Sequence, residues 1–223
     1  GKDYAILEAS GYAKDGGVYV SYPFIRSREL NLYGQIDYHS KQLQDKINAA
    51  ISITEKGVNL VRVALSGDSR DNWGGGGANS FSLAYTSGKL NIDTPMSQII
   101  DNATAQTAGT YGKTMLALAR MQHVADRLNL YLSVTGQTAS KNLDSSEKLF
   151  LGGANGVRAY PQGEASGDEG YLLTTELRWF TPFQPATGTM QLAGFVDTGR
   201  VTTNKNPWIG SGQSNHRSLA GAG

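Results

Sequence analysis

Cysteine is absent from the 223 residues, which removes disulfide frameworks, thiolate nucleophiles and the usual structural zinc sites together. Histidine is scarce. His39, His123 and His216 lie far apart with no metal-ligand spacing, so neither a metal nor a cofactor is expected. No sign of charge dominates: 20 Lys and Arg stand against 19 Asp and Glu, a net +1 that leaves no basic face for a nucleic acid. A run of about 18 apolar residues is also missing, which excludes a membrane-crossing helix but not a barrel built from alternating segments. The mean hydropathy of −0.35 is compatible with either a soluble protein or such a barrel. The opening GKDYAILEAS has neither an initiator Met nor a basic stretch followed by an apolar one, so the N-terminus reads as cut.

Glycine is plentiful, with 28 residues, and period-two alternation dominates. Leu128, Leu130, Leu132 and Val134 alternate with Asn129, Tyr131, Ser133, Thr135 and Gln137. Leu30, Leu32, Ile36 and Tyr38 alternate with Asn31, Tyr33, Gln35, Asp37 and His39, and Phe81, Leu83 and Tyr85 with Ser82, Ala84 and Thr86. The pattern predicts strands at 2–12, 17–26, 30–43, 47–55, 57–67, 78–91, 109–123, 126–140, 168–181 and 188–201, with 47–55 either a strand or an extension of its predecessor. KDGG at 14–17 and TEKG at 54–57 have the composition of hairpin turns, 67–77 that of a loose turn and 92–107 that of a polar loop. Long strands with one apolar face and one polar, mostly uncharged face suit an all-β, antiparallel transmembrane β-barrel with a wet lumen. A soluble sandwich is the alternative, with shorter strands and more Lys and Glu on its polar face.

Catalytic motifs fail on inspection. GKT at 112–114 lacks the earlier glycine of a phosphate loop, having Thr107 there. GEASG at 163–167 misplaces its serine for a nucleophile elbow, and no histidine lies near Ser166 in sequence. Glu164, Asp168 and Glu169 sit in a Gly-rich stretch and read as solvated loop charges rather than a glycosidase pair. No enzyme activity is expected.

The stretch 147–179, EKLFLGGANGVRAYPQGEASGDEGYLLTTELRW, resembles the signature loop and following strand of the two-partner secretion transporters, the haemolysin-activator and adhesin-secretor proteins of the bacterial outer membrane. The loop tetrad of that family, Val-Arg-Gly-Tyr or Phe, is matched by Val157, Arg158, Ala159 and Tyr160, after Gly152 and Gly153. Ala159 departs from the commoner glycine, and a tip backbone at positive φ would be strained there. A second motif is matched by Phe195, Asp197 and Gly199 in GFVDTGR. The resemblance continues through 135–148, 21–34 and the terminal SLAGAG.

The resemblance implies that residues 1–223 are part of a sixteen-strand outer-membrane barrel that exports a large haemolysin or adhesin without ATP. Periplasmic transport-associated domains, the first strands and the last strands would lie outside this chain. Its partners would be that exoprotein and outer-membrane lipid, with no nucleic acid, and the barrel would be monomeric. The alternatives are a barrel-assembly factor of the same superfamily, a passive porin or a soluble binding module. Strand parity independently points Asp197, Glu176 and Arg178 into the lumen, where Arg158 at the tip of the 141–168 loop is expected to pair with Asp197 and Tyr160 to pack beside Phe195. With short turns on the periplasmic side, the loops at 13–17, 92–108, 141–168 and 202–217 are expected on the outer face, with 26–29 and 181–188, including Ala186, opposite.

Overall fold

The alternation sets both the strands and their alignment. Val20, Ile36, Val63 and Tyr85 stand directly opposite one another across four successive strands, forming one transverse apolar row, and all four are more than half exposed. The computed structural model describes residues 9–47, 52–183, 188–212 and 214–223. Its long strands are β1 (Ala9–Arg26), β2 (Leu30–Ile47), β3 (Ser52–Asp71), β4 (Gly77–Ile92), β5 (Gly109–Ala125) and β6 (Leu128–Ala139). A two-strand hairpin, β7 (Leu149–Phe150) and β8 (Ser166–Gly167), precedes β9 (Glu169–Phe180), β10 (Gln191–Thr202) and β11 (His216–Ala222). One helix, α1 (Pro95–Ala103), caps the β4–β5 connection.

The nine long strands form one antiparallel sheet in the order β1-β2-β3-β4-β5-β6-β9-β10-β11, each bonded to its successor. Among the described residues β1 and β11 each have a neighbour on one side only, so the sheet is open. Register shifts occur at Pro23/Ile25 and at His123/Ala125. The first lies at a residue with no N–H to give the ladder. The long strands β1 to β5 run for 16 to 20 residues, against the roughly 9–11 that cross a hydrocarbon layer.

One face of the sheet is bare and apolar, carrying Val18, Val20, Ile36, Val61, Val63, Leu83, Leu116, Leu118, Leu132, Leu173, Leu177 and Val196. The opposite face is lined by the 140–168 segment, which lies back against it. Leu143 joins Val58, Leu60, Leu90, Ile92, Tyr111 and Ala139 in one buried cluster. Leu149, Leu151, Val157 and Ala165 join Leu172, Val201 and Leu219 in a second. Apolar burial is thus confined to the face the loop covers, while the other face keeps its apolar side chains outward, as lipid contact requires.

Several sequence expectations are corrected. KDGG at 14–17 is not a turn: it lies inside β1, where Asp15 meets His39 at 3.0 Å and the absent side chain of Gly17 leaves room for the same imidazole. TEKG at 54–57 lies inside β3, so 47–55 is not a separate strand, although 48–51 fall outside the described residues, as do 2–8 and Ala186. β3 continues to Asp71 before turning at Trp73–Gly75, the polar loop at 92–107 contains α1, and β11 follows the last anticipated strand. The connections at 93–108, 140–168 and 203–215 share one end of the sheet, and those at 27–29 and 181–190 share the other.

Candidate functional site

The site begins at the end of β6, where Thr138 and Ala139 give way to a loop whose polar groups must find partners inside the sheet. Asp144 caps a short 3-10 turn at Ser145–Glu147 by accepting from the Ser146 N–H. The β7–β8 hairpin then closes the neck. Beyond it the chain folds on itself: the N–H of Gly153 donates to the Tyr160 carbonyl at 2.9 Å, that of Val157 to Leu151 at 2.6 Å and that of Tyr160 to Val157 at 3.1 Å. Gly153 sits at φ +104°, and a side chain on Gly152 would strike the Pro161 carbonyl, so both glycines are demanded by the turn.

This turn delivers Arg158 to β9 and β10. Its backbone N–H donates to Asp197 Oδ2 at 3.1 Å, its Nε to the same oxygen at 2.8 Å and its Nη2 to Oδ1 at 3.0 Å. Nη1 donates to Glu176, whose other oxygen accepts from Arg178 Nε at 2.6 Å. The guanidinium lies 3.5 Å from the centroid of the Phe195 ring, and Arg178 stands 4.9 Å from that of Tyr131. Asp197 is fully buried and Glu176 nearly so, which makes these charge-assisted bonds stronger than solvent-exposed ones. Hydrogen bonding to Asp197, and then to Glu176, holds the Arg158 guanidinium even further above neutrality than usual, so it stays charged. Two cations face two carboxylates with no net charge left over. The arrangement has no free nucleophile or base; chemically it can bind and position.

Val157, Arg158, Phe195, Asp197, Gly199, Glu176 and Arg178 therefore meet in one place. Gly199 has no room for a Cβ, which would lie 2.8 Å from Leu151 Cδ2. Ala159 is not among the positive-φ residues, so the strain anticipated there does not arise, and its methyl faces Gly221 on β11, where a second Cβ would collide with it. One face of the Phe195 ring is covered by the guanidinium, and Tyr160 packs against the cluster around Val157.

Sequence reasoning missed the base of the loop. Asp168, read as solvated, is fully buried: it accepts from the N–H groups of Leu143 at 3.0 Å and Lys205 at 2.7 Å and pairs with Lys148 at 3.0 Å. Glu147 is held by Lys41 at 2.8 Å and Lys113 at 2.9 Å, and Asp144 by Lys56 at 2.8 Å. The signal was present. Lys41, Lys56 and Lys113 occupy inward rows beside Leu43, Val58, Leu60 and Tyr111, and cations among apolar neighbours call for carboxylates from elsewhere.

Residues 2–223 match the family model for the haemolysin secretion/activation protein ShlB/FhaC/HecB. The chain belongs to this family. Among curated relatives, the Heme/hemopexin transporter protein HuxB of Haemophilus influenzae is 27% identical over 82% of this chain and 32% of its own length. The Outer membrane transporter CdiB of Dickeya dadantii is 26% identical over 58% of the chain and 23% of its own. The chain thus spans about a third of the length of the first of these ShlB-family relatives. Among solved structures, CdiB from Escherichia coli superposes with a TM-score of 0.77 at 18% identity, covering 96% of this chain and 38% of that one. CdiB from Acinetobacter baumannii gives 0.66, also at 18%. The open sheet is therefore a stretch of wall from an outer-membrane ShlB-family β-barrel, and its bare apolar face is the lipid face.

Proposed function

We propose that the whole protein is an outer-membrane two-partner secretion pore, through which a large exoprotein of the haemolysin or adhesin type crosses to the cell surface as an extended chain. Transport makes and breaks no covalent bond and uses no cofactor. The observation that carries the reading is the Arg158 tip docked on Asp197, Glu176 and Phe195 inside the wall of a ShlB-family barrel. In this reading Val157, Arg158, Ala159 and Tyr160, with Gly152 and Gly153 shaping their turn, form the functional loop, and Phe195, Asp197, Gly199, Glu176 and Arg178 form its seat. The inward residues beside the tip are short and mostly uncharged, including Ser80, Ser82, Ala117, Ala119, Ser133 and Thr135, and border a cavity of about 550 Å³. Such a wall offers a passing chain weak contacts rather than a trap. The pore works as a monomer in outer-membrane lipid, and no nucleic acid takes part.

The test is secretion by the full-length protein. Arg158→Ala should lower the exoprotein recovered from the culture supernatant while leaving the amount of folded barrel in the outer membrane unchanged. Undiminished secretion by that variant, with the barrel at normal abundance, would remove the docked tip from the mechanism.

A further inference from the structure

The loop is held by two sets of contacts, and they reach different walls. The tip meets β9, β10 and β11 through Arg158, whose backbone N–H and side chain both bond Asp197, through the buried Val157 and through Ala159, whose methyl faces Gly221. The base of the loop meets β2, β3 and β5 through Lys41, Lys56 and Lys113 and meets the 203–215 connection through Asp168, whose carboxylate accepts from the Lys205 N–H. Asn142 adds bonds from its amide to the carbonyls of Ala105 and Asn206 at 2.7 and 2.8 Å, tying the same base to both neighbouring connections.

We propose that Asp144, Glu147 and Asp168 are positioning residues for Arg158: they mount the base of the loop (141–151 and 164–168) rigidly on the wall and so hold residues 152–163 over the seat. Asp144 and Glu147, both buried, are held by three lysines of the wall, and Asp168, buried against Lys148 of the loop itself, is held by the Lys205 N–H of the 203–215 connection, so the base cannot leave the wall without breaking all of these contacts. The tip is also bonded to the base it stands on. Its turn is closed by bonds from Gly153 to Tyr160, Gly156 to Gly153 and Tyr160 to Val157, and the Val157 N–H donates to the Leu151 carbonyl at 2.6 Å, so the base carries the tip with it. Glycines with left-handed backbones stand at both of its ends: Gly153 at φ +104° and Gly163 at φ +84°, the latter with open space where a side chain would be. The consequence of this positioning for secretion rests on the transporter reading, but the positioning itself does not.

Hydrogen exchange on the full-length protein in detergent micelles tests the positioning without any exported partner, so it and the transporter reading can fail separately. In Arg158→Ala, amides of 152–163 should exchange faster, on the order of tenfold or more, while 141–151 stays near the wild-type rate. In the double variant Glu147→Gln/Asp168→Asn both base and tip should speed up, with β9 and β10 still protected. General loss of structure would instead raise exchange in β9 and β10 as well, and that result would overturn the assignment of these carboxylates to positioning. Equal acceleration of base and tip in Arg158→Ala, or a tip at the wild-type rate in the double variant, would also overturn it. Should the double variant fail to show the heat-modifiable mobility of a folded barrel, Glu147→Gln alone carries the same test.

Discussion

Arg158 engages Asp197 and Glu176 through Nε, Nη1 and Nη2 together and lays its plane on Phe195. An ammonium group has neither the fork nor the flat face, so Arg158→Lys should secrete poorly although the charge is kept. Truncation of one partner in a largely buried pair costs about 3–5 kcal/mol, because the other charge is left uncompensated. Asp197→Ala should therefore lower the temperature at which the full-length barrel loses its fast, folded gel mobility. Gly221 offers a cleaner contact to test. Gly221→Ala forces a methyl onto that of Ala159 and should lower the same transition, and adding Ala159→Gly should restore it. If the second change brings no recovery, the two residues do not meet.

The 140–168 loop is the element on which pH should act. Burial alone pushes the carboxyls of Asp144 and Glu147 up, but Lys56 beside the first, and Lys113 and Lys41 beside the second, outweigh it and hold both below their ordinary range. A carboxyl lowered in the folded state adds stability that is complete above its unfolded value, about 4, and is lost as pH falls through the folded one. The loop should stay resistant to added protease between about pH 5 and 7 and open only below about pH 4, and cleavage already rising near neutrality would contradict this. Orientation can be read at the same scale. A cysteine at Gln98, on α1, should react with an impermeant maleimide on intact cells, and one at Arg28 should not. The strands themselves were legible because each reports its own period: Leu32, Ile36 and Tyr38 face out whatever the neighbours do. KDGG misled because Gly17 serves close packing against His39 rather than a reversal. Asp168 was illegible because its partners Leu143, Lys148 and Lys205 are assembled only when the loop folds onto the wall.

At the scale of the whole molecule the open sheet is a constraint. β1 and β11 each leave a row of backbone donors and acceptors without a neighbour among the described residues, and in hydrocarbon each unmet group costs several kcal/mol. These 223 residues reconstituted alone into planar bilayers should give no stable conductance, in contrast to the full-length protein. A steady pore from the isolated chain would mean that its edges can close on each other.

The unbroken pairing of β2 with β3, from Leu30 opposite Ser69 to Ile47 opposite Ser52, also bears on how such a gene can change. Loss of a single codon within β3 would exchange the two faces for every residue on one side of the gap, turning Val61, Val63 and Leu65 toward the water and Arg62 toward the lipid. Loss of a codon in the 203–215 connection shifts no face at all. In heredity the strands behave like a reading frame laid over the reading frame, open to substitution but closed to odd-numbered insertions and deletions, while length variation is left to the connections.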